Sequence, residues 1–263
     1  TEPFIFRLSG GAAQNGTDTL ELKSGYGLSI KDELKMLRAI KNASSRMNCD
    51  VIATCLAAHM LPEDHKGSEA AYLEEISSVL FPIIKEEELC TRIDAFIEKT
   101  AFSSAQIRPY FTKARELGFD LTVHADQFTT GGSVLAVAFD AVSADHLEVS
   151  TQKEIELLAG SNTIATALPG ASMGLGCGFT PARKLLDAGA ALAIGSDHNP
   201  GSAPMGDLLM QAAVLGAFEK LSNAEVLAGI TTRAAAALKL RDRGQLMPGQ
   251  WADFNLFQTD NYQ

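Results

Sequence analysis

The sequence predicts an α/β fold, a TIM-type (β/α) barrel in which parallel strands alternate with helices. Short apolar runs alternate with segments of helical spacing seven times along the chain. Strands joined by crossover helices pair in parallel, with both faces of the sheet covered. The apolar runs lack polar alternation, which is typical of strands buried on both faces. Finally, polar side chains follow six of the runs, whereas a doubly wound sheet, the alternative, concentrates its site near one switch point.

The elements follow from local pattern. Strands are assigned to short apolar runs, at 18–25, 51–59, 92–98, 121–125, 141–147, 163–169 and 191–197. Helices are assigned where apolar residues recur every three or four positions, at 30–44, 71–87, 104–118, 131–140, 152–160, 181–189, 207–221 and 223–238. Gly118 suits a helix C-cap. The glycine-rich segment 168–178 is predicted to be a flexible loop.

Composition excludes several classes of protein. The chain has 263 residues, 46% hydrophobic and 21% charged, which fits one large globular domain. A net charge of −10 argues against nucleic acid or anionic membrane as a partner. We expect neither a membrane-spanning helix nor a signal peptide. Four cysteines without CxxC spacing predict reduced thiols and a cytoplasmic protein.

His124 and Asp197 are the leading candidates for a metal site. Each closes a predicted strand, and an imidazole and a carboxylate at the mouth of a barrel can bind one divalent ion, zinc or iron. Taken alone, each is better explained structurally, His124 as a hydrogen-bonded structural histidine and Asp197 as such a residue or as a helix cap. His146 at a third strand end weakens both explanations, since three separate reasons would be needed.

Other polar residues carry weaker signals. His59 follows an apolar run, so it is either a site residue or a histidine buried in the core. Glu98 is as readily an ion-pair partner as a site residue. Tyr26 lies in the glycine-rich turn KSGYG, and the turn NPGS at 199–202 offers groups for a polar ligand. The chain contains neither a GxxxxGK[ST] nor a GxSxG motif, so a nucleotide site and a serine hydrolase are not supported.

An ordered set of motifs resembles the imidazolonepropionase family of the metal-dependent amidohydrolase superfamily. The resemblance covers roughly residues 16–257, and its motifs are LELKSGYGL, LAAH, HADQFTTGG, SADHLE, LPGA and GSDHNPGS, with the closing segment DRGQLMPGQWADFNLF. The resemblance implies hydrolysis of the cyclic amide of 4-imidazolone-5-propanoate to N-formimino-L-glutamate in histidine degradation. It also implies a small-molecule substrate and one bound zinc or iron ion.

The resemblance also implies roles for single residues. His124 and Asp197 would bind the metal, and Asp197 would also move the proton of the attacking water. His146 would sit by the reacting carbonyl, which His59 would help to polarise. The residues expected to line the substrate pocket are Tyr26, His59, Gln127, Asn199, Gly201 and Ser202.

The chain departs from the family pattern at its beginning. The His-x-His pair that supplies two further metal ligands is absent, as is the arginine that holds the substrate carboxylate. We therefore expect residues 1–240 to form an N-terminally incomplete barrel and 241–263 a return segment toward a small β-sandwich. The apolar segment 3–8 is a candidate remnant strand. A non-catalytic relative, a hydrolase of another cyclic amide, and a homodimeric state remain open.

Overall fold

The computed structural model of the chain describes residues 15–258, so the candidate strand at 3–8 lies outside the described residues. Seven parallel strands form one sheet whose order follows the chain. This order confirms the barrel-type fold, because a doubly wound sheet reverses direction at a switch point. The strands are β1 (Thr19–Lys23), β2 (Asp50–Ala58), β3 (Arg92–Ala95), β4 (Asp120–Ala125), β5 (Ser143–His146), β6 (Ile164–Ala167) and β7 (Leu192–Ile194).

The sheet is curled like part of a barrel. Lys23 ends β1 and Asp145 lies on β5, yet Lys23 Nζ is 2.7 Å from Asp145 Oδ2. In a flat sheet these strands would be about 19 Å apart, because neighbouring strands are about 4.8 Å apart. A lysine and an aspartate side chain cannot span that distance together, so β1 must bend toward β5.

The two faces of the sheet differ in polarity. The expectation that apolar and polar residues do not alternate along the strands is therefore wrong. Ile93, Leu121 and Val123 belong to the hydrophobic core that the helices cover. The residues between them point to the other face, because side chains alternate along a strand. That concave face is lined with polar groups, at Glu21, Lys23, Thr54, Arg92, Asp94, Thr122, His124, Ser143 and Asp145.

Several helices begin where the sequence supplies a side-chain cap. Ser29 accepts the backbone N–H of Asp32, and Ser103 and Ser222 open capping boxes. The described helices are α1 (Ile30–Ser44), α2 (Glu69–Glu75), α3 (Phe81–Glu86), α4 (Ser104–Glu116), α5 (Gly132–Ala138), α6 (Gln152–Ala159), α7 (Pro169–Leu175), α8 (Ala182–Asp187), α9 (Leu208–Glu219), α10 (Asn223–Ile230) and α11 (Thr232–Ala237).

Three predicted segments differ in detail. The helix expected at 71–87 is interrupted by a π-helical turn, Ile76–Leu80, next to a proline that has no backbone N–H. The helix expected at 223–238 is divided at Thr231, whose backbone is not helical. The predicted loop 168–178 is wrong in its first half, because Pro169 opens α7 and Gly176 ends it in the left-handed conformation.

The C-terminal segment returns to the amino-terminal ends of β1 and β2. Arg243 pairs with Asp50 and donates a hydrogen bond to Thr19 Oγ1 at 3.1 Å, so it joins the starts of β2 and β1. No helix or strand is found between 239 and 258, and the companion β-sandwich stays a prediction. Among the described helices, none is both long and apolar enough to cross a membrane.

Candidate active site

A buried cluster of four charged or polar side chains lies on the concave face. Lys23 Nζ donates hydrogen bonds of 2.7 Å to Asp94 Oδ2 and to Asp145 Oδ2. His124 Nδ1 lies 2.9 Å from Asp94 Oδ2. Because parallel pairing puts His124 opposite Asp145 on the neighbouring strand, these residues from four strands meet at one level of the sheet. We call Lys23, Asp94, His124 and Asp145 the buried cluster.

The charges in the buried cluster stabilise one another. Burial opposes ionisation of Asp94, but His124 and Lys23 outweigh it and hold the pKa of Asp94 well below its usual range. The pKa of Asp145 is lowered too, with Lys23 outweighing its burial. Burial would lower the pKa of Lys23, yet the aspartates and Glu21 raise it. For His124 burial is again outweighed, mainly by Asp94, and its pKa is raised.

The buried cluster has the chemistry of a metal-binding group. One ligand atom each from Asp94, His124 and Asp145 lies within 4.8 Å of the others. An imidazole with carboxylates is a donor set that suits zinc or iron. His124 Nδ1 is buried and makes no aligned hydrogen bond, although Asp94 is close. By its donor chemistry His124 fits the role of a ligand, whereas Asp197 lies outside this group.

His59 is held in one tautomer. Its Nδ1 lies 2.9 Å from the carbonyl oxygen of Gly25, so Nδ1 carries the proton and donates it. Burial lowers the pKa of His59, which keeps the ring neutral and leaves Nε2 as an acceptor. A ring in this state presents an acceptor at Nε2, and the polarising role expected of His59 stays a prediction.

His146 lies beside His124, with their ring centroids 5.1 Å apart. Its backbone has φ 82°, an uncommon conformation for a residue with a side chain. Its buried Nδ1 is 3.5 Å from Glu148 Oε1, which also accepts a 3.0 Å hydrogen bond from Ser172 Oγ. The structure therefore brings the predicted His124 and His146 together, at adjacent strand ends.

The loop after β4 is fixed by two carboxylates. Asp126 accepts hydrogen bonds from Gly131 N and from the hydroxyl groups of Ser133 and Ser150. Glu98 accepts the backbone N–H groups of Phe128 and Thr129 at 2.8 and 3.0 Å. Glu98 is therefore a loop anchor and not one of the charged groups of the buried cluster. Gln127, between these anchors, is buried.

The glycine-rich turn after β1 is held by a buried residue of α1. Glu33 accepts the backbone N–H groups of Gly25, Gly27 and Leu28 at 3.0, 2.7 and 3.1 Å. Tyr26 is 62% exposed, and its ring makes an edge contact with His59 at 5.3 Å. Partial burial and the charge of Asp197 raise the pKa of Tyr26.

We expect Glu33→Ala to release the turn without unfolding the chain. Three backbone N–H groups lose their acceptor, and an unsatisfied group costs about 1–3 kcal/mol. Hydrogen exchange resolved by NMR should show the amides of Gly25 and Gly27 exchanging about tenfold faster or more. Asp32→Ala, at the exposed neighbouring position, is the control. Unchanged exchange in Glu33→Ala would contradict this role.

The turn after β7 is built around Asn199. Its side chain accepts the backbone N–H groups of Gly201 and Ser202 and donates to the carbonyl oxygen of Asp197 at 2.7 Å. Asp197 itself has φ 46° and is partly buried. Part of the polar chemistry of Asn199, Gly201 and Ser202 is thus used within the turn, and their substrate contacts stay a prediction.

Sequence reasoning missed Asp94. It lies inside a predicted strand, between the buried core residues Ile93 and Ala95. In that segment Glu98, at the end of the strand, was the carboxylate predicted as a candidate site residue. The available signal was the alternation of Arg92 and Asp94 with apolar residues, which marks a strand with one polar face.

Comparison with known protein families identifies the family of this chain. The profile of the amidohydrolase family matches residues 12–263. The chain belongs to the amidohydrolase family. This confirms the resemblance and the fold expected from the motifs.

Relatives within the amidohydrolase family include curated imidazolonepropionases. The chain is 43% identical over 241 residues to the enzyme of Deinococcus deserti, which covers 91% of this chain and 59% of that protein. It is 41% identical over 244 residues to the enzyme of Pseudomonas aeruginosa strain UCBPP-PA14, covering 92% of this chain and 61% of that protein. The chain thus spans about three fifths of the length of the relatives it matches.

Solved structures share the fold at low identity. An adenosine deaminase from Xanthomonas campestris with bound zinc matches with a TM-score of 0.71 and 18% identity, over 96% of this chain and 61% of that chain. A guanine deaminase from C. acetobutylicum with bound guanine matches with a TM-score of 0.69 and 14% identity, over 93% and 64%. At these identities the likeness concerns the fold alone.

Proposed function

We propose that this chain is part of a hydrolase that converts 4-imidazolone-5-propanoate to N-formimino-L-glutamate, with one zinc or iron ion, in the degradation of histidine. One observation carries the proposal. His124 and His146, which the resemblance assigns to metal and reacting carbonyl, lie with ring centroids 5.1 Å apart at one mouth of the sheet. The identity of 43% to an imidazolonepropionase supports the substrate.

The chemistry assigns a separate task to each side chain. A divalent ion, when bound, lowers the pKa of a water toward about 7 and supplies a nucleophile at neutral pH. His124 and Asp197 are the residues of this chain that would hold it. Asp197 would accept the proton of the attacking water and return it to the ring nitrogen that leaves. His146 would donate a hydrogen bond to the carbonyl oxygen as negative charge develops there.

The remaining residues would orient the ring. Since His59 is neutral with its proton on Nδ1, Nε2 would accept a hydrogen bond from an N–H of the imidazolone. Gln127 would hydrogen-bond the ring but is a poor base. Tyr26, with the 199–202 turn, would cover the substrate from the β1 and β7 sides.

The proposal is tested on the protein extended to the length of its relatives. Supplied with zinc or iron, that protein should consume 4-imidazolone-5-propanoate and release N-formimino-L-glutamate, detected by loss of imidazolone absorbance and by mass spectrometry. Hydantoin and dihydroorotate serve as cyclic-amide controls. Turnover of a control with none of the imidazolone would reject the substrate, and no turnover of any of them would favour a non-catalytic relative.

A further inference from the structure

The two ring nitrogens of His124 have different surroundings. Nδ1 is buried and lies 2.9 Å from Asp94 Oδ2. The His124 side chain as a whole keeps 11% exposure, and this exposure is not at Nδ1. One nitrogen of the ring therefore faces a buried carboxylate, while the exposed part of the side chain lies elsewhere on it.

Asp94 is itself fixed in place. Its side chain has no exposed surface, and Oδ2 accepts a hydrogen bond of 2.7 Å from the ammonium group of Lys23. Its other oxygen, Oδ1, accepts the backbone N–H of Ala95 at 2.7 Å. A carboxylate held at both oxygens keeps one orientation, so it can impose an orientation on the imidazole beside it.

We propose that Asp94 is a positioning residue for His124. It retains the ring proton on Nδ1 and so presents Nε2 toward the mouth as the metal ligand, while Lys23 holds Asp94. This inference rests on the proposed function in taking His124 as a ligand. Metal-binding histidines commonly donate their second N–H to a carboxylate, and loss of such a partner weakens metal binding about 10–100-fold.

The alternative is a metal held within the buried cluster by Asp94, His124 and Asp145. Lys23 argues against it, because its ammonium already contacts Oδ2 of both aspartates. The second oxygen of Asp145 accepts a 2.9 Å hydrogen bond from Ser143 Oγ. A divalent ion at the same oxygens would be repelled by the ammonium at close range. Lys23 is thus the cation of this cluster.

The first experiment reads the tautomer directly. The 263-residue chain is labelled with ¹⁵N-histidine, and His124→Ala is used to assign the signals. At a pH above the raised pKa of His124, where the ring is neutral, His124 should carry its proton on Nδ1. Added zinc should shift the Nε2 resonance. A proton on Nε2, or a zinc-induced shift at Nδ1, would overturn the inference. If zinc does not bind the chain at all, the position of the proton decides alone.

The second experiment compares two aspartates that share Lys23. Asp94→Asn removes the carboxylate beside His124, and zinc affinity, measured by competition with a chelator, should fall about 10–100-fold. Asp145→Asn also loses a contact with Lys23 but has none with His124 Nδ1, so affinity should change less than about threefold. Equal losses in both variants, or tighter binding in Lys23→Met, would indicate a metal within the buried cluster.

Failure of this inference is distinguishable from failure of the proposed function. Tautomer and zinc affinity are measured without substrate, whereas the proposed function is measured as turnover. If Asp94 controls His124 and zinc as described but no imidazolone is hydrolysed, only the function is rejected. If turnover occurs while Asp94→Asn leaves tautomer and affinity unchanged, only the positioning role is rejected.

Discussion

His124→Ala is expected to reduce hydrolysis of 4-imidazolone-5-propanoate by the whole protein to the level measured without protein. If His124 binds the metal, its loss removes the activated water together with the ion. The effect should exceed the about 10–100-fold that loss of an outer partner of a metal ligand costs. Turnover is measured alongside metal content, which should fall in the same variant.

Gln127→Ala is the matched control, from the same loop. Loss of one pocket hydrogen bond costs about 1–3 kcal/mol, or roughly a 5- to 150-fold decrease in kcat/KM. Metal content should remain that of the wild type, because Gln127 is assigned to the substrate and not to the metal. Full activity in His124→Ala, or metal loss in Gln127→Ala, would reverse these assignments.

Lys23→Met is expected to destabilise the chain by about 3–5 kcal/mol, the cost of leaving buried charges without their partner. Asp94 and Asp145 are both buried, and each loses an ammonium 2.7 Å away. Because the Lys23 side chain keeps 21% exposure, the lower end of this range is expected. Urea unfolding followed by circular dichroism measures the free energy of unfolding.

Lys239→Met supplies the comparison for a surface ion pair. Lys239 contacts Asp120 at 2.6 Å, but its side chain is well exposed. Exposed pairs contribute about 0–1 kcal/mol, so this variant should unfold close to the wild type. A loss in Lys23→Met no greater than that in Lys239→Met would mean that the buried cluster does not depend on its ammonium.

Much of the fold could be predicted because its signals are local. Apolar periodicity distinguished strands from helices, and the alternation of the two predicted parallel pairing. Predicted helix boundaries were less accurate at Thr231, whose non-helical backbone divides a predicted helix. They were also less accurate at Pro169, which opens a helix in a segment predicted to be a loop. Glycine content alone did not distinguish a helix with a left-handed C-cap from a flexible loop.

The candidate site could be predicted only in part. His124 and His146 were found because they end strands, and strand ends share one edge of a parallel sheet. Glu98 was found by the same rule, yet its carboxylate faces the backbone of 128 and 129 and anchors a loop. Position at a strand end therefore identifies the edge of the sheet but not the partner of each side chain.

By itself, the sequence determined the succession of strands and helices, the polar edge, and the family motifs. Only the tertiary structure decided that Lys23, Asp94, His124 and Asp145 meet in one buried cluster. The physical reason is distance. Lys23 and Asp145 are 122 residues apart in the chain, with three strands between theirs in the sheet, and they come into contact only because the sheet curls. Hydrophobic periodicity depends on near neighbours along the chain, whereas curvature depends on the packing of the whole sheet.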